Sequence, residues 1–223
     1  MSNPYQLVVF DWEGTIADTI GLILQRVAVE ANRLGFGQVD PYAARSYVGL
    51  GLHGALRKLF SHLSNKEHEL LVHAVQNALL TKHTEVFLIP GARPLIQKLQ
   101  DVGVDLAIAS NKGQHALARA LQETALTAYF KVTRSAGQAP AKPCSQMLEE
   151  IMDVLGHTSS TTLMIGDSPT DMETAKALGV HAVGVDFYHQ NKEILKDAGA
   201  MAVFDDYQLL ADFLKLPPVS REV

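Results

Sequence analysis

The sequence predicts an α/β protein: a parallel sheet covered by helices on both faces and interrupted once by an all-helical insertion. Three observations carry this. Four short runs rich in valine, isoleucine and leucine recur along the 223 residues, helical patterns lie between and after them, and the stretch from about residue 17 to residue 88 offers helical periodicity without a strand.

The first run, Leu7-Val8-Val9-Phe10, reads as a strand buried on both faces, as strands of parallel sheets are. Three sets of apolar residues then occur at helical spacing: Leu22, Val27, Val29 and Leu34; then Leu52, Leu56 and Leu59; then Leu70, Leu71, Val75 and Leu79. Gly35 suits the end of the first helix, and Ser64 with Glu67 forms a capping box opening the last. Pro90-Gly91 marks the return to the sheet. Strands are then expected at 106–109, 162–165 and 182–185, with helices at 92–99, 145–155, 170–178 and 207–214. The expected division is a sheet-bearing body of residues 1–16 and 89–223 and a helical insertion of residues 17–88. Pro217-Pro218 marks a short tail outside the packed body.

Hydrophobic residues make up 47% of the chain, enough for a sizeable core. Acids outnumber Lys plus Arg by 24 to 19, so the net charge of -5 supplies no bulk attraction for nucleic acid or an anionic membrane. One cysteine, Cys144, makes no internal disulfide, which suits a reducing compartment and a buried or inert thiol. The apolar run at residues 7–10 stops at Asp11, far short of a signal-peptide core or membrane span, so a soluble cytoplasmic protein is expected.

The chemistry lies at the ends of the strands. After the first comes Asp11-Trp12-Glu13-Gly14-Thr15, after the second Ser110-Asn111, and after the third Gly166-Asp167-Ser168-Pro169-Thr170-Asp171. In a parallel sheet these ends face one crevice, which brings Asp11, Glu13, Asp167 and Asp171 toward Ser110 and Asn111. Lys142, in Ala141-Lys142-Pro143, lies on a connection that can reach the same place. Clustered carboxylates repel unless a cation neutralises them, and magnesium fits because it takes few protein ligands and keeps positions for phosphate oxygen and water. Gly14 permits a tight turn whose amides can face an anion. Singly, Asp11 could cap a turn, Asp167 a helix, Ser110-Asn111 could be an ordinary turn and Lys142 a surface charge. Their joint register points to a site.

Those four elements resemble the motifs of the haloacid dehalogenase superfamily, specifically its phosphoglycolate phosphatase-like hydrolases with a small helical cap. The resemblance covers nearly the whole chain: a strand ending in Asp-x-Asp-Gly-Thr, one ending in Ser or Thr, a Lys-Pro, and Gly-Asp with a second Asp after a short gap. It implies a Rossmann-like three-layer α/β/α core with an inserted α-helical cap domain. The implied activity is magnesium-dependent hydrolysis of a small phosphorylated metabolite, phosphoglycolate-like or a sugar phosphate, through an aspartyl-phosphate. By the same resemblance Asp11 is the nucleophile. The Mg2+ ligands are the Asp11 side chain, the Glu13 backbone carbonyl and Asp167, with Asp171 acting through a water or by orienting Lys142. Ser110 and the Asn111 amide bind the transferring phosphoryl group, and Lys142 balances its charge. The implied partner is a small phosphate ester, with neither nucleic acid nor membrane, in a monomer or homodimer.

Glu13 departs from the family, whose aspartate there protonates the leaving oxygen and then activates water. The added methylene displaces the carboxylate by about 1 Å, a misplacement that can cost about 100-fold in rate. Glu13 is expected to retain acid–base chemistry, with a catalytically weakened phosphate-binding protein as the alternative. A phosphomutase of the same superfamily is a further alternative, although Thr15 after Gly14 resembles the phosphatases more. A dehalogenase fits less well, since carbon–halogen displacement does not require the surroundings made by Glu13, Lys142, Asp167 and Asp171. In the insertion, Arg45, His53, Arg57 and Lys58 surround Gly49-Leu50-Gly51-Leu52, a candidate closing loop, and Arg45 is the first candidate substrate contact. Trp12 either lines the substrate side or wedges against the sheet. The nine histidines form no metal-binding motif.

Overall fold

The computed structural model describes residues 4–39, 44, 47, 51–81 and 86–216. In chain order the elements are β1 (Leu7–Phe10), α1 (Thr19–Arg33), α2 (Gly51–Leu59), α3 (Asn65–Thr81), α4 (Ala92–Asp101), β2 (Asp105–Gly113), α5 (Gln114–Glu123), β3 (Val132–Ala136), α6 (Gln146–Leu155), β4 (Thr162–Gly166), α7 (Pro169–Ala177), β5 (His181–Val185), α8 (Lys192–Ala198), β6 (Ala202–Phe204) and α9 (Tyr207–Phe213). They fall into two compact units, Met1–Ala17 with Leu88–Val223, and Asp18–Phe87.

The first unit is a Rossmann-like α/β core. Its six strands, all parallel, run in the order β3-β2-β1-β4-β5-β6. On one face Leu7, Val9, Ala107, Ala109 and Met164 pack with Met147, Ile151, Met172 and Leu195 of α6, α7 and α8. The alternate positions Val8, Phe10, Leu106, Ile108, Leu163 and Ile165 are buried as well. Burial of both faces explains why the central strands read as unbroken apolar runs. The edge strands β3 and β6 go beyond the sequence expectation. Val132-Thr133-Arg134-Ser135-Ala136 is mostly half-buried and mixes polar residues, and β6 has only three residues, all half-buried. Helices α5 and α8 are likewise additions. Ser110 and Asn111 sit inside the end of β2, where its register with β3 shifts between Ser110 and Gly113.

The second unit has its own core of Val27, Ala31, Leu56, Phe60, Leu71, Val72 and Val75. Asp18 caps α1 by accepting the Gly21 N–H at 2.8 Å. Gly35, at φ 74°, ends that helix as expected, with the Phe36 N–H donating to the Ala31 carbonyl at 2.9 Å. The capping box before α3 also forms: the Ser64 N–H donates to Glu67 Oε2 at 2.8 Å and the Glu67 N–H to Ser64 Oγ at 3.4 Å. Two expected inward residues are exposed, Val29 at 44% and Leu70 at 51%. Val29 falls between Val27 and Ala31, off the face that they define, and Leu71 takes the inward place beside Leu70. Arg45, Gly49, Leu50 and the Pro217-Pro218 tail lie outside the described residues. Among those described, no helix is long and apolar enough to cross a membrane.

Candidate active site

The site begins one residue past β1. The Asp11 N–H donates to the Ile165 carbonyl at 2.9 Å, which carries the β1–β4 pairing beyond the strand, and the chain then turns sharply. The Ile16 and Ala17 N–H groups donate to the Trp12 carbonyl at 3.0 and 2.8 Å, and the Gly14 N–H to the Ala17 carbonyl at 2.9 Å. Gly14 has φ 71°, and a Cβ built on it would overlap the Asp167 carboxylate. Glycine is required here twice over, for the backbone conformation and for the approach of one motif to another. At the end of β4, a Cβ on Gly166 would in turn overlap Asp171.

Lys142 arrives from the β3–α6 connection and is buried. Its Nζ donates to Asp11 Oδ1 at 2.7 Å, to the Ala109 carbonyl at 2.7 Å and to Asp171 Oδ1, which occupies all three ammonium hydrogens. Asp171 Oδ2 accepts the Ser168 N–H and hydroxyl at 3.1 and 2.7 Å, closing the capping box of α7. Both oxygens of Asp171 are therefore committed. The Asn111 side chain clamps the Lys142 peptide, its Oδ1 accepting the Lys142 N–H at 2.7 Å and its Nδ2 donating to the Lys142 carbonyl at 3.2 Å. Ser110 is buried, and its Oγ accepts the Lys112 N–H at 3.3 Å.

Carboxylate oxygens of Asp11, Asp167 and Asp171 lie within 4.8 Å of one another. Burial, reinforced by Asp171 and opposed by Lys142, raises the Asp11 carboxyl to about 6. Burial, with Asp11 and Asp171 adding to it, raises Asp167 to about 8. Lys142 is raised too, because Asp11 and Asp171 outweigh the effect of its own burial. One ammonium among three carboxylates leaves surplus negative charge in a confined place, which protons or a cation can relieve. The donors are all oxygen, and among the described residues no other side chain donates a hydrogen bond to Asp167. That donor set fits a hard divalent ion such as Mg2+.

Glu13 lies outside this cluster of oxygens. Its half-buried carboxylate is paired through Oε1 with Lys112 Nζ at 2.5 Å. Lys112 is an addition to the expected site; its only signal in the sequence is a basic residue directly after Ser110-Asn111. Trp12 is buried, at 1% exposed. Cys144 is exposed, contrary to the buried reading, because the loop after Pro143 runs along the surface. His53, Arg57 and Lys58 belong to the second unit and are exposed, with Arg57 donating to Asn65 Oδ1 at 3.2 Å.

A family model described as haloacid dehalogenase-like hydrolase matches residues 8–185, the span that runs from β1 to the end of β5. The chain belongs to the haloacid dehalogenase-like hydrolases. It is 29% identical over 219 residues to a phosphoglycolate phosphatase of Pseudomonas savastanoi pv. phaseolicola, covering 95% of this chain and 80% of that protein. It is equally similar, at 29% over 221 residues, to a phosphoglycolate phosphatase of Rhodospirillum rubrum, covering 94% of this chain and 91% of the other. A HAD family hydrolase of Deinococcus radiodurans R1, solved with bound phosphate and sodium, has the same fold. Its TM-score is 0.68 at 21% identity, over 97% of this chain and all of that one. In this haloacid dehalogenase-like hydrolase, the motifs at residues 11–15, 110–111, 142–143 and 166–171 follow or end strands at the C-terminal edge of the sheet, whereas Arg45, with Gly49 and Leu50 of the candidate closing loop, lies outside the described residues.

Proposed function

We propose that this hydrolase is a magnesium-dependent phosphatase that cleaves a small phosphorylated metabolite, phosphoglycolate-like or a sugar phosphate, through an aspartyl-phosphate on Asp11. The observation that carries the reading is the buried arrangement in which Lys142 bridges Asp11 and Asp171 while Asp167 faces them without a side-chain donor. A carboxylate held against an ammonium at a strand end is an oriented nucleophile, with positive charge beside the position a phosphoryl group takes.

In this reading an Asp11 oxygen attacks phosphorus as the ester P–O bond breaks, and Glu13 gives a proton to the departing alkoxide. Water then attacks the phosphorus, returns a proton to Glu13, and releases phosphate with Asp11 restored. The Ser110 hydroxyl, the Asn111 backbone amide and Lys142 hold the phosphoryl oxygens. The Asn111 side chain acts differently, by fixing the Lys142 peptide. Bound Mg2+ supplies charge that offsets the repulsion between nucleophile and phosphate; Asp11, the Glu13 carbonyl and Asp167 would hold it, with Asp171 contributing through its hold on Lys142. Residues 1–16 and 89–223 serve as the catalytic core. Residues 17–88 serve as a cap that selects the substrate, with Arg45 as a contact.

A second reading, a phosphate-binding chain with little turnover, draws on the ion pair of Glu13 with Lys112, which holds its carboxylate outside the cluster of Asp11, Asp167 and Asp171. Release of p-nitrophenol from p-nitrophenyl phosphate with Mg2+ separates the two. The phosphatase reading expects measurable turnover by the natural chain, lost on chelation, and a gain of up to about 100-fold in Glu13→Asp. A natural chain without turnover beside a strongly active Glu13→Asp establishes the second reading.

A further inference from the structure

Tyr207, the first residue of α9, is a large, fully buried side chain with a polar tip that the proposed reaction does not use. It is 1% exposed and separated by 192 positions from its partner, the Thr15 carbonyl, to which its hydroxyl donates. The ring is fixed from two sides. Phe187, beyond β5, packs on it at a centroid distance of 4.9 Å, and a Cβ on Gly91 would come within 3.1 Å of Tyr207 Cβ. Gly91 lies just past the segment where the chain returns to this unit, with Leu88 bridged to Ala17 and the Ile89 N–H donating to the Ile16 carbonyl at 2.9 Å.

The turn at residues 12–17 is otherwise closed mainly by its own backbone hydrogen bonds, Gly14 to Ala17 and Ile16 and Ala17 to Trp12. Tyr207 adds a side-chain anchor from a distant part of the sequence. A buried phenol needs an acceptor, and one held by ring packing can set the height of the carbonyl that it contacts. Burial first, then Asp167 and Asp11, pushes the phenol well above its ordinary value, so it remains a donor. The height of the turn matters because Gly14 approaches Asp167 so closely that a Cβ there would overlap its carboxylate. Any shift of the Thr15 carbonyl therefore moves the backbone carrying Glu13 relative to the acidic cluster.

We propose that Tyr207 is a positioning residue: through its hydrogen bond to Thr15 it holds the turn bearing Glu13 in register with Asp11 and Asp167. Its hold on the turn is a property of the fold, whereas its effect on turnover rests on the phosphatase reading. The test is Tyr207→Phe in the full chain, which removes one oxygen. Hydrogen exchange is expected to accelerate about tenfold or more at the Gly14, Ile16 and Ala17 amides and to stay unchanged in β1 and β4. With p-nitrophenyl phosphate and Mg2+, kcat is expected to fall about tenfold with KM within about twofold. Phe187→Leu keeps the hydroxyl and the contact at Gly91 while weakening one side of the ring packing, and should accelerate exchange in the turn clearly less than Tyr207→Phe.

Unchanged exchange at residues 14–17, acceleration spread evenly over the sheet, or an equal effect from Phe187→Leu overturns the proposal. So does an unchanged kcat in an active enzyme. If the natural chain hydrolyses no phosphate ester, the phosphatase reading fails, and exchange without substrate still upholds or overturns the anchoring of the turn.

Discussion

Two lysine–carboxylate contacts stand at the same edge of the sheet and differ in almost everything except chemistry. Lys142 meets Asp11 and Asp171 with side chains exposed by 2%, 9% and 0%; Lys112 meets Glu13 with 28% and 39%. The first contact is fixed from all sides, by the Ala109 carbonyl, by Asn111 on its backbone and by Ser168 on its partner. The second joins two flexible side chains in reach of water. A buried charge loses much when a partner is removed, whereas an exposed pair is worth little in stability and exchanges easily for other ions. One contact is architecture and the other an adjustable setting.

The largest effect should come from Lys142→Met, which leaves Asp11 and Asp171 facing each other without a cation. Urea unfolding should give a loss of about 3–5 kcal/mol, and turnover should fall by about 100- to 1,000-fold or more. A loss under about 1 kcal/mol would place this pair with the exposed ones.

Next is the pH dependence of the metal-free protein. Asp11, raised to about 6, and Asp167, raised to about 8, retain protons that the unfolded chain has already released. Their contribution to stability is complete below about pH 4 and is lost as pH rises through about 6 and then about 8. With chelator present, the melting temperature should fall across that window. Asp167→Asn should remove the upper part of the fall, and Mg2+ should flatten the slope. A chelated protein whose melting temperature is level from about pH 5 to 9 contradicts this.

The smallest effect belongs to Lys112→Met, which should change stability by less than about 1 kcal/mol, and by less still in high salt. A double-mutant cycle with Glu13→Gln measures the pair directly. A coupling that exceeds about 1 kcal/mol and resists salt would erase the contrast.

That contrast also marks what can be read in the sequence. The central strands are legible because burial on both faces leaves long apolar runs, as in residues 7–10 and 163–165. The edge strands are not, since Thr133, Arg134 and Ser135 form a polar run in β3 and β6 is too short to show a period. In the site, Asp11, Ser110, Asp167 and Asp171 are legible because each closes an apolar run or opens a helix at a recognisable offset, and Lys142 because it precedes a proline on the connection into α6. Lys112 and Tyr207 carry no such mark. The first is one more surface cation until Glu13 is seen beside it, and the second meets Thr15 only through the complete fold of its unit. Exposure at Val29 and Leu70 shows the converse, apolar residues counted inward by spacing alone.

Asp171 has one further consequence. One of its oxygens receives the hydroxyl and amide of Ser168, which begins α7, and the other receives Lys142. A single carboxylate thus reports whether the first turn of that helix has formed and whether the lysine has arrived. A chain in which α7 is frayed loses one of the three acceptors that hold its lysine, the others being Asp11 and the Ala109 carbonyl. The first turn of α7 and the seat of Lys142 are thereby coupled through one side chain.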